Sequence, residues 1–88
     1  MAIIVAHHKV RDYAAWKPNY EGDAPRRVAA GLKDLRFGRS AEDPSDVYMI
    51  WEAKDLTKFQ AMAHDPGLEA QMQKAGVTGE LFVTVINE

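Results

Sequence analysis

The sequence contains no cysteine, no long apolar run and no marked excess of charge of either sign. Its 88 residues therefore have no disulfide to stabilise them, and a chain this short buries only about two-thirds of the surface that its unfolded form exposes. The lack of cysteine agrees with a reducing compartment, so we expect a cytoplasmic protein. We expect residues 1–88 to form one domain, for which association with a second copy is the remaining source of stability.

The other two absences exclude whole classes of partner. No apolar run approaches the roughly 20 residues that a membrane-spanning helix needs, and residues 1–6 are too short for the apolar part of a signal peptide. The net charge is −2 and the eleven lysines and arginines are scattered, so no basic patch for nucleic acid is present. What remains is an ordinary globular composition, 47% hydrophobic and 27% charged, and we expect neither a membrane nor a nucleic-acid partner.

The N-terminal third predicts a strand followed by a broken helix. Residues 2–9 form a β-branched and aliphatic run, which indicates a first strand. Asp12 is the expected cap of a helix whose aromatic residues recur at spacings of three and four. We expect the helix to break near 18–23 and to restart around Pro25, with Asp23 as a possible cap. Three further residues complete this segment, namely Val28 and Leu32 on its apolar side and Gly31 as its stop.

The remainder predicts two strands, a second broken helix and a last strand. Residues 35–39 alternate apolar and polar, 41–46 have the composition of a turn, and 47–51 are apolar at both parities. Asp55 begins the second helix, which 64–67 interrupt. The last strand is predicted at 80–87, after a helix exit flanked by Gly76 and Gly79.

This order, βαββαβ, is that of an α+β, ferredoxin-like two-layer sandwich. Two broken helices can cover only one face of a four-stranded antiparallel sheet. The first, third and fourth strands nevertheless carry apolar residues at both parities, which a sheet with one solvated face would not require. We therefore predict a homodimer through the open sheet face, a dimeric α/β barrel.

Two segments carry a resemblance to known proteins. The run 8–17, HKVRDYAAWK, and the run 65–77, DPGLEAQMQKAGV, resemble small proteins of the dimeric α/β barrel superfamily. That group is related to the antibiotic-biosynthesis monooxygenase domains, the stress-responsive barrel proteins and some polyketide cyclases. The resemblance implies a pocket between the helices and the sheet in each subunit, which relatives use for aromatic polyketides, quinols, haem or nothing identified. It also implies cofactor-independent chemistry, with a histidine on the first strand near His7 or His8.

His7 and His8 are adjacent on a strand, so their side chains point to opposite faces of the sheet. We favour His8 as the pocket residue, because Ala6 beside it leaves room for a ligand. A pocket histidine is a candidate general acid or base, whereas a structural one is satisfied by backbone or water. His7 stays a candidate ligand-binding residue.

Several aromatic residues could line the pocket or simply fill the core. Trp16 could wall the pocket and Tyr20 could offer its hydroxyl to a substrate oxygen, as the second catalytic candidate. Tyr48 and Trp51 have opposite parity, so at most one of them can face the pocket. Phe59 on the second helix has the same two interpretations.

His64 lies where the second helix breaks. It either caps the preceding carbonyls or projects toward the pocket mouth. The haem-degrading relatives have a tryptophan and an asparagine near such a histidine, and the second helix here has no tryptophan. His7 and His8 cannot chelate one ion from opposite faces, and no other ligand pair has metal-binding spacing, so we expect neither a metal nor an organic cofactor.

The sequence therefore predicts a barrel protein that binds a small hydrophobic, aromatic or polyketide-like molecule. If it is an enzyme, we expect a cofactor-independent monooxygenase or cyclase that uses a first-strand histidine. The alternative is a non-catalytic homodimer that binds a ligand or acts in a stress response. Whether the protein is an enzyme at all stays open at this point.

Overall fold

The computed structural model describes residues 1–87 and contains four strands and four short helices in the order βααββααβ. The strands are β1 (Ala2–Lys9), β2 (Leu32–Arg39), β3 (Asp46–Ala53) and β4 (Phe82–Asn87). The helices are α1 (Tyr13–Gly22), α2 (Ala24–Ala29), α3 (Leu56–Ala63) and α4 (Pro66–Lys74). Since α1 with α2 and α3 with α4 are the two halves of the predicted broken helices, the α+β, ferredoxin-like order is confirmed.

The sheet is antiparallel throughout, with the strand order β2-β3-β1-β4. Along β1 the even-numbered side chains are buried, whereas the odd-numbered ones are partly buried or, at Lys9, exposed. The even-numbered residues face the helices, because a strand alternates its side chains between the two faces. The core therefore lies between the sheet and the helix layer, and its largest fully buried side chains are Trp16, Ile4, Met49 and Val47.

Local chemistry explains where the helices begin. The carboxylates of Asp12, Asp55 and Asp65 accept hydrogen bonds from backbone N–H groups two residues later, at 2.9–3.0 Å. Asp23 occupies the N-cap position of α2, but no cap bond forms because its carboxylate accepts from Arg26 Nε instead. Pro18 stays inside α1, and the break falls at Asp23.

Two glycines with positive φ mark helix ends. Gly31 and Gly76 follow α2 and α4 with φ of 74° and 88°. Only glycine adopts this left-handed conformation without steric cost. The predicted stop at Gly31 and exit at Gly76 thus match the backbone.

The strand boundaries differ from the predicted ones, most of all in β2. This strand begins at Leu32, three residues earlier than predicted, and its register with β3 shifts between Asp34 and Arg36. The extra residue in this bulge is Leu35, whose side chain is 42% exposed. An inserted residue reverses the face of everything on one side of it, so a simple alternation does not extend through the whole strand.

The predicted apolar side of the first broken helix is also wrong at its end. Val28 is 71% exposed, whereas its neighbour Arg27 is buried. The reason is that Arg27 finds partners for its guanidinium inside, as described below, and a six-residue helix can turn only one narrow face inward. The longest helix, α1, has ten residues, and no helix in the stretch 1–87 has the length and apolar character to span a bilayer.

Candidate functional site

His8 is the polar side chain buried deepest in the core. It lies on β1 facing the helices and is 4% exposed. Its Nε2 accepts a hydrogen bond from Trp16 Nε1 at 3.1 Å. An Nε2 that accepts cannot carry the proton of a neutral imidazole, so the proton is on Nδ1. Within residues 1–87 nothing accepts a hydrogen bond from that buried Nδ1.

Burial also decides the charge of His8. It lowers the pKa of His8 from 6.5 to about 4, with Asp46 opposing the shift and His7 adding to it. At neutral pH His8 is therefore an uncharged imidazole whose lone pair is engaged by Trp16 and whose Nδ1–H is unused. An unsatisfied buried donor destabilises the fold by about 1–3 kcal/mol. Such a group needs a particular explanation, for instance a ligand.

The aromatic stripe of α1 packs beside His8, with the Trp16 ring edge-on to the imidazole. Trp16 stacks on Tyr20 with ring centroids 4.7 Å apart and on Tyr13 at 5.7 Å. Phe37 of β2 completes the group, 5.1 Å from Tyr20 and 5.9 Å from Trp16. The stripe predicted from spacing is thus a continuous stack, which holds the Trp16 N–H in place against His8.

Tyr20 belongs to a second polar network at the other end of this stack. Its hydroxyl accepts from Trp51 Nε1 at 2.8 Å, and the Arg27 guanidinium lies 3.7 Å from its ring centroid. Arg27 in turn donates to both carboxylate oxygens of Asp34, at 2.8 and 3.1 Å, and to the Tyr20 carbonyl at 2.8 Å. Burial raises the pKa of Tyr20 above its ordinary value, so the phenol remains protonated at neutral pH.

The two networks border one space, which we call the inner cavity. Its volume is about 50 Å³, room for roughly four water molecules. The sheet and α1–α2 contribute His8, Trp16, Asn19, Tyr20, Asp23, Arg27, Met49 and Trp51, and the rest of the wall consists of Met62, Leu68, Gln71, Met72, Ala75 and Leu81. An aromatic ligand needs more space, since small-molecule pockets typically measure about 300–1,000 Å³.

Phe59 and His64 line a different space, which we call the outer groove. It is open to solvent, has a volume of about 480 Å³, and is formed by Leu56, Phe59, Gln60, Ala63, His64, Met72, Leu81, Val83 and Val85. Phe59 is buried and its ring is 6.1 Å from that of Trp51. His64 is exposed at the end of α3, where its backbone N–H donates to the Gln60 carbonyl.

The structure places His7 and Tyr48 on the opposite side of the sheet, away from the inner cavity. His7 lies between Tyr48 and Phe82, with ring centroids at 4.5 and 5.1 Å. Its Nδ1 is 3.0 Å from Asp46 Oδ1. We call this side the open face, defined by Ile3, Val5, His7, Tyr48, Ile50, Phe82 and Ile86, and its exposed members include Tyr48, Phe82 and Ile86.

The inner cavity thus unites four of the eight predicted site residues, namely His8, Trp16, Tyr20 and Trp51. Arg27 and Asp34 were missed, because a charged residue in a short helix or in a strand near the edge of a sheet is normally solvated. The sequence feature that could have indicated this ion pair is an arginine and an aspartate seven residues apart, on either side of the turn at Gly31. Residues 1–87 contain no group of three histidine, aspartate or glutamate side chains placed to hold a metal ion.

Comparison with solved structures shows which fold the chain has. The chain has the ferredoxin-like fold of the antibiotic biosynthesis monooxygenases, as comparison with solved structures shows. A provisionally named antibiotic biosynthesis monooxygenase from Bordetella bronchiseptica superposes with a TM-score of 0.79 at 12% identity, covering 99% of this chain and 95% of that one. Another, from Caulobacter crescentus, superposes with a TM-score of 0.74 at 12% identity and covers 99% of this chain and 88% of that one.

A third structure, also provisionally named an antibiotic biosynthesis monooxygenase, comes from Nitrosomonas europaea. It superposes with a TM-score of 0.68 at 11% identity and covers 100% of this chain and 98% of that one. No protein-family model matches the sequence, and no curated protein matches it at a significant level. The resemblance predicted from the sequence is therefore confirmed at the level of the fold.

Proposed function

We propose that this protein is a homodimer whose helix-side cavity, widened when side chains of its wall move, binds a small apolar molecule, aromatic or polyketide-like, through one oxygen atom. The observation that carries the proposal is the buried Nδ1–H of His8, which has no partner among residues 1–87. A ligand oxygen that accepts from it removes the desolvation penalty of an unmade hydrogen bond. The surrounding wall is mostly apolar, so the rest of the ligand is apolar too.

The state of His8 also limits what it does to that ligand. A neutral imidazole that donates from Nδ1 stabilises negative charge developing on the ligand oxygen, as an oxyanion-hole donor does. It is a poor general base, because its pKa is lowered to about 4 and Trp16 occupies the remaining lone pair. We therefore assign His8 the role of donor to the substrate oxygen, and Tyr20 the role of holding the cavity wall.

The names of the structural neighbours suggest the reaction, a monooxygenation, and the sequence resemblance suggests that it needs no cofactor. A hydroquinone that is oxidised to a hydroxyquinone gives up four electrons. O₂ takes up these four electrons when one of its atoms becomes attached to a ring carbon and the other becomes water. No external reductant is then required. The hydroquinone would release its proton to water, and the Nδ1–H of His8 would stabilise the resulting phenolate, which is the form that transfers electrons to O₂ most readily.

The open face supports the homodimer. Phe82 is 53% exposed, Ile86 48% and Tyr48 38%, and together with Ile3, Val5 and Ile50 on the same face they make an apolar patch of the kind that marks an interface. Because the same patch exists on every copy, a two-fold axis buries it against itself. The absence of cysteine suits a reducing compartment, and we propose the cytoplasm as the location.

Thermal unfolding against a panel of hydroquinones, aromatic ketones and haem tests the binding function. A ligand at 100 times its dissociation constant adds about 2.7 kcal/mol per site, which shifts the melting temperature of so small a domain by about 10 °C or more. We expect such a shift from hydroquinones or aromatic ketones, its loss in His8→Phe and its retention in the matched variant His7→Phe. Oxygen uptake with the hydroquinone that binds then tests the reaction.

The small inner cavity favours a second candidate, a non-catalytic homodimer with a filled core. Trp16 and Tyr20 are already in contact, and about 50 Å³ admits no aromatic ring unless side chains move. This candidate predicts no shift with any ligand of the panel. A shift that is equal in the wild type and in His8→Phe would also contradict the role assigned to His8.

A further inference from the structure

The inner cavity and the outer groove share a wall. Met72 of α4 and Leu81, just before β4, line both spaces. Both side chains are only partly buried. These two apolar side chains therefore belong to the boundary between the two spaces.

This wall is of a kind that moves easily. Met72 has an unbranched side chain with several rotatable bonds, which adapts to new surroundings at little energetic cost. Leu81 lies in the connection between α4 and β4, outside both elements. Rotation of these two side chains would open the inner cavity into the outer groove.

The outer groove is an apolar surface that the helix layer leaves uncovered. Val83 and Val85 point to the helix side of the sheet, opposite Ala6 and Ile4 of β1. Those two neighbours are completely buried, whereas Val83 is 39% and Val85 42% exposed. The helices thus cover β1 but not β4, and a ligand lying along β4 would gain the missing apolar contact.

We propose that Met72 and Leu81 form a gate, and that the outer groove holds the apolar tail of an elongated ligand whose oxygen-bearing head reaches His8. This inference rests on the function proposed above and extends it to the ligand's shape and route of entry. The lining of the outer groove contains no aspartate, glutamate, lysine or arginine. The tail is therefore uncharged, and the ligand is an amphiphile with a polar head and a hydrocarbon or aromatic tail.

A homologous series of probes tests this arrangement, namely the alkyl 4-hydroxybenzoates from methyl to heptyl. Binding is followed by the fluorescence of Trp16 and Trp51, the two tryptophans of the chain, both of which border the inner cavity. We expect the affinity to rise by up to about fourfold with each added methylene. The rise should stop once the tail spans Val83 and Val85, which are about 7 Å apart along the strand.

Val83→Asp places a charge in the outer groove, and Val28→Asp is the matched control on an exposed part of α2. Val83→Asp should abolish the dependence on tail length while leaving methyl ester binding within about twofold. Val28→Asp should leave the whole series unchanged. The double variant Val83→Thr and Val85→Thr keeps side-chain shape and β-branching, and it provides the same test if Val83→Asp fails to fold.

The possible failures are distinguishable. If no member of the series binds, the proposed binding function is wrong and the gate with it. If the methyl ester binds but affinity does not rise with tail length, or rises equally in Val83→Asp, the gate is wrong and the inner cavity alone is the site. If Val83→Asp weakens the short and long esters equally, the outer groove contributes to the fold and not to a tail subsite.

Discussion

The pH dependence of folding stability is the sharpest consequence of a buried neutral histidine. His8 has a pKa of about 4 in the folded protein, against 6.5 when it is unperturbed. The unfolded chain therefore binds a proton between about pH 6.5 and 4 that the folded protein does not bind. The contribution of neutral His8 to folding stability is therefore complete above the unfolded pKa of 6.5 and is lost as the pH falls through this window. Below about pH 4 there is no further loss from His8.

The magnitude follows from the size of that window. A difference of about 2.5 pH units corresponds to about 3 kcal/mol, of which about 2.5 kcal/mol is lost by pH 4.5. That is a large part of the 5–15 kcal/mol by which small proteins are stable. Replacing His8 with phenylalanine removes the titrating group, so the variant should lack this share of the acid sensitivity.

Urea unfolding of the wild type, His8→Phe and His7→Phe at several values between about pH 4.5 and 7.5 measures the effect. All proteins are compared at the same concentration, because dimerisation contributes to the apparent stability. The free energy of unfolding should fall by about 2.5 kcal/mol more in the wild type than in His8→Phe. If the free energy of unfolding depends on pH in the same way in the wild type and in His8→Phe, His8 is not a buried neutral histidine. The control His7→Phe should show the same pH dependence from His8 as the wild type.

Three further outcomes follow from the same structure. Ile86→Asp charges the open face and should give a monomer in light scattering, whereas Val28→Asp should stay dimeric; a dimer in both would show that the open face is not the interface. Asp34→Ala leaves the buried Arg27 without its carboxylate and should lower the free energy of unfolding by about 2 kcal/mol in urea titrations. The loss is smaller than for a fully buried ion pair, because the Asp34 side chain is 44% exposed. An unchanged free energy of unfolding would mean that water replaces the carboxylate. Nitrogen-15 NMR should show His8 as the Nδ1–H tautomer near pH 7, and the Nε2–H tautomer would contradict the hydrogen bond from Trp16.

Sequence patterns were sufficient for the order of elements, because most of the fold is written in local features. Asp12, Asp55 and the glycine at 31 act through the backbone next to them, so their effects are visible without a partner. The two-residue period of β1 likewise separates His7 from His8 in any sheet. The even-numbered residues face the helices, so His8 lies on the side where the small side chain of Ala6 predicted room for a ligand.

Other features depend on contacts between distant segments and could not be predicted in this way. The bulge at Leu35 is a property of the pairing between β2 and β3, not of β2 alone. Arg27 is buried because Asp34 and the carbonyl of Tyr20 meet its guanidinium, and its exposed neighbour Val28 has the more apolar side chain. The assignment of Phe59 and His64 to the outer groove depends on where α3 ends relative to the uncovered strand β4.

The central claim is that His8 donates a hydrogen bond to a ligand oxygen in the inner cavity. The most direct test compares acetophenone with α-methylstyrene, which has the same shape but carries a methylene in place of the carbonyl oxygen, in the wild type and in His8→Phe. With the ketone one hydrogen bond forms, whereas with the alkene the buried donor keeps no partner. The ratio of the affinities for ketone and alkene should therefore be about five- to thirtyfold larger in the wild type than in His8→Phe. Equal preferences in the two proteins would contradict the account, because the donor would then contact no part of the ligand.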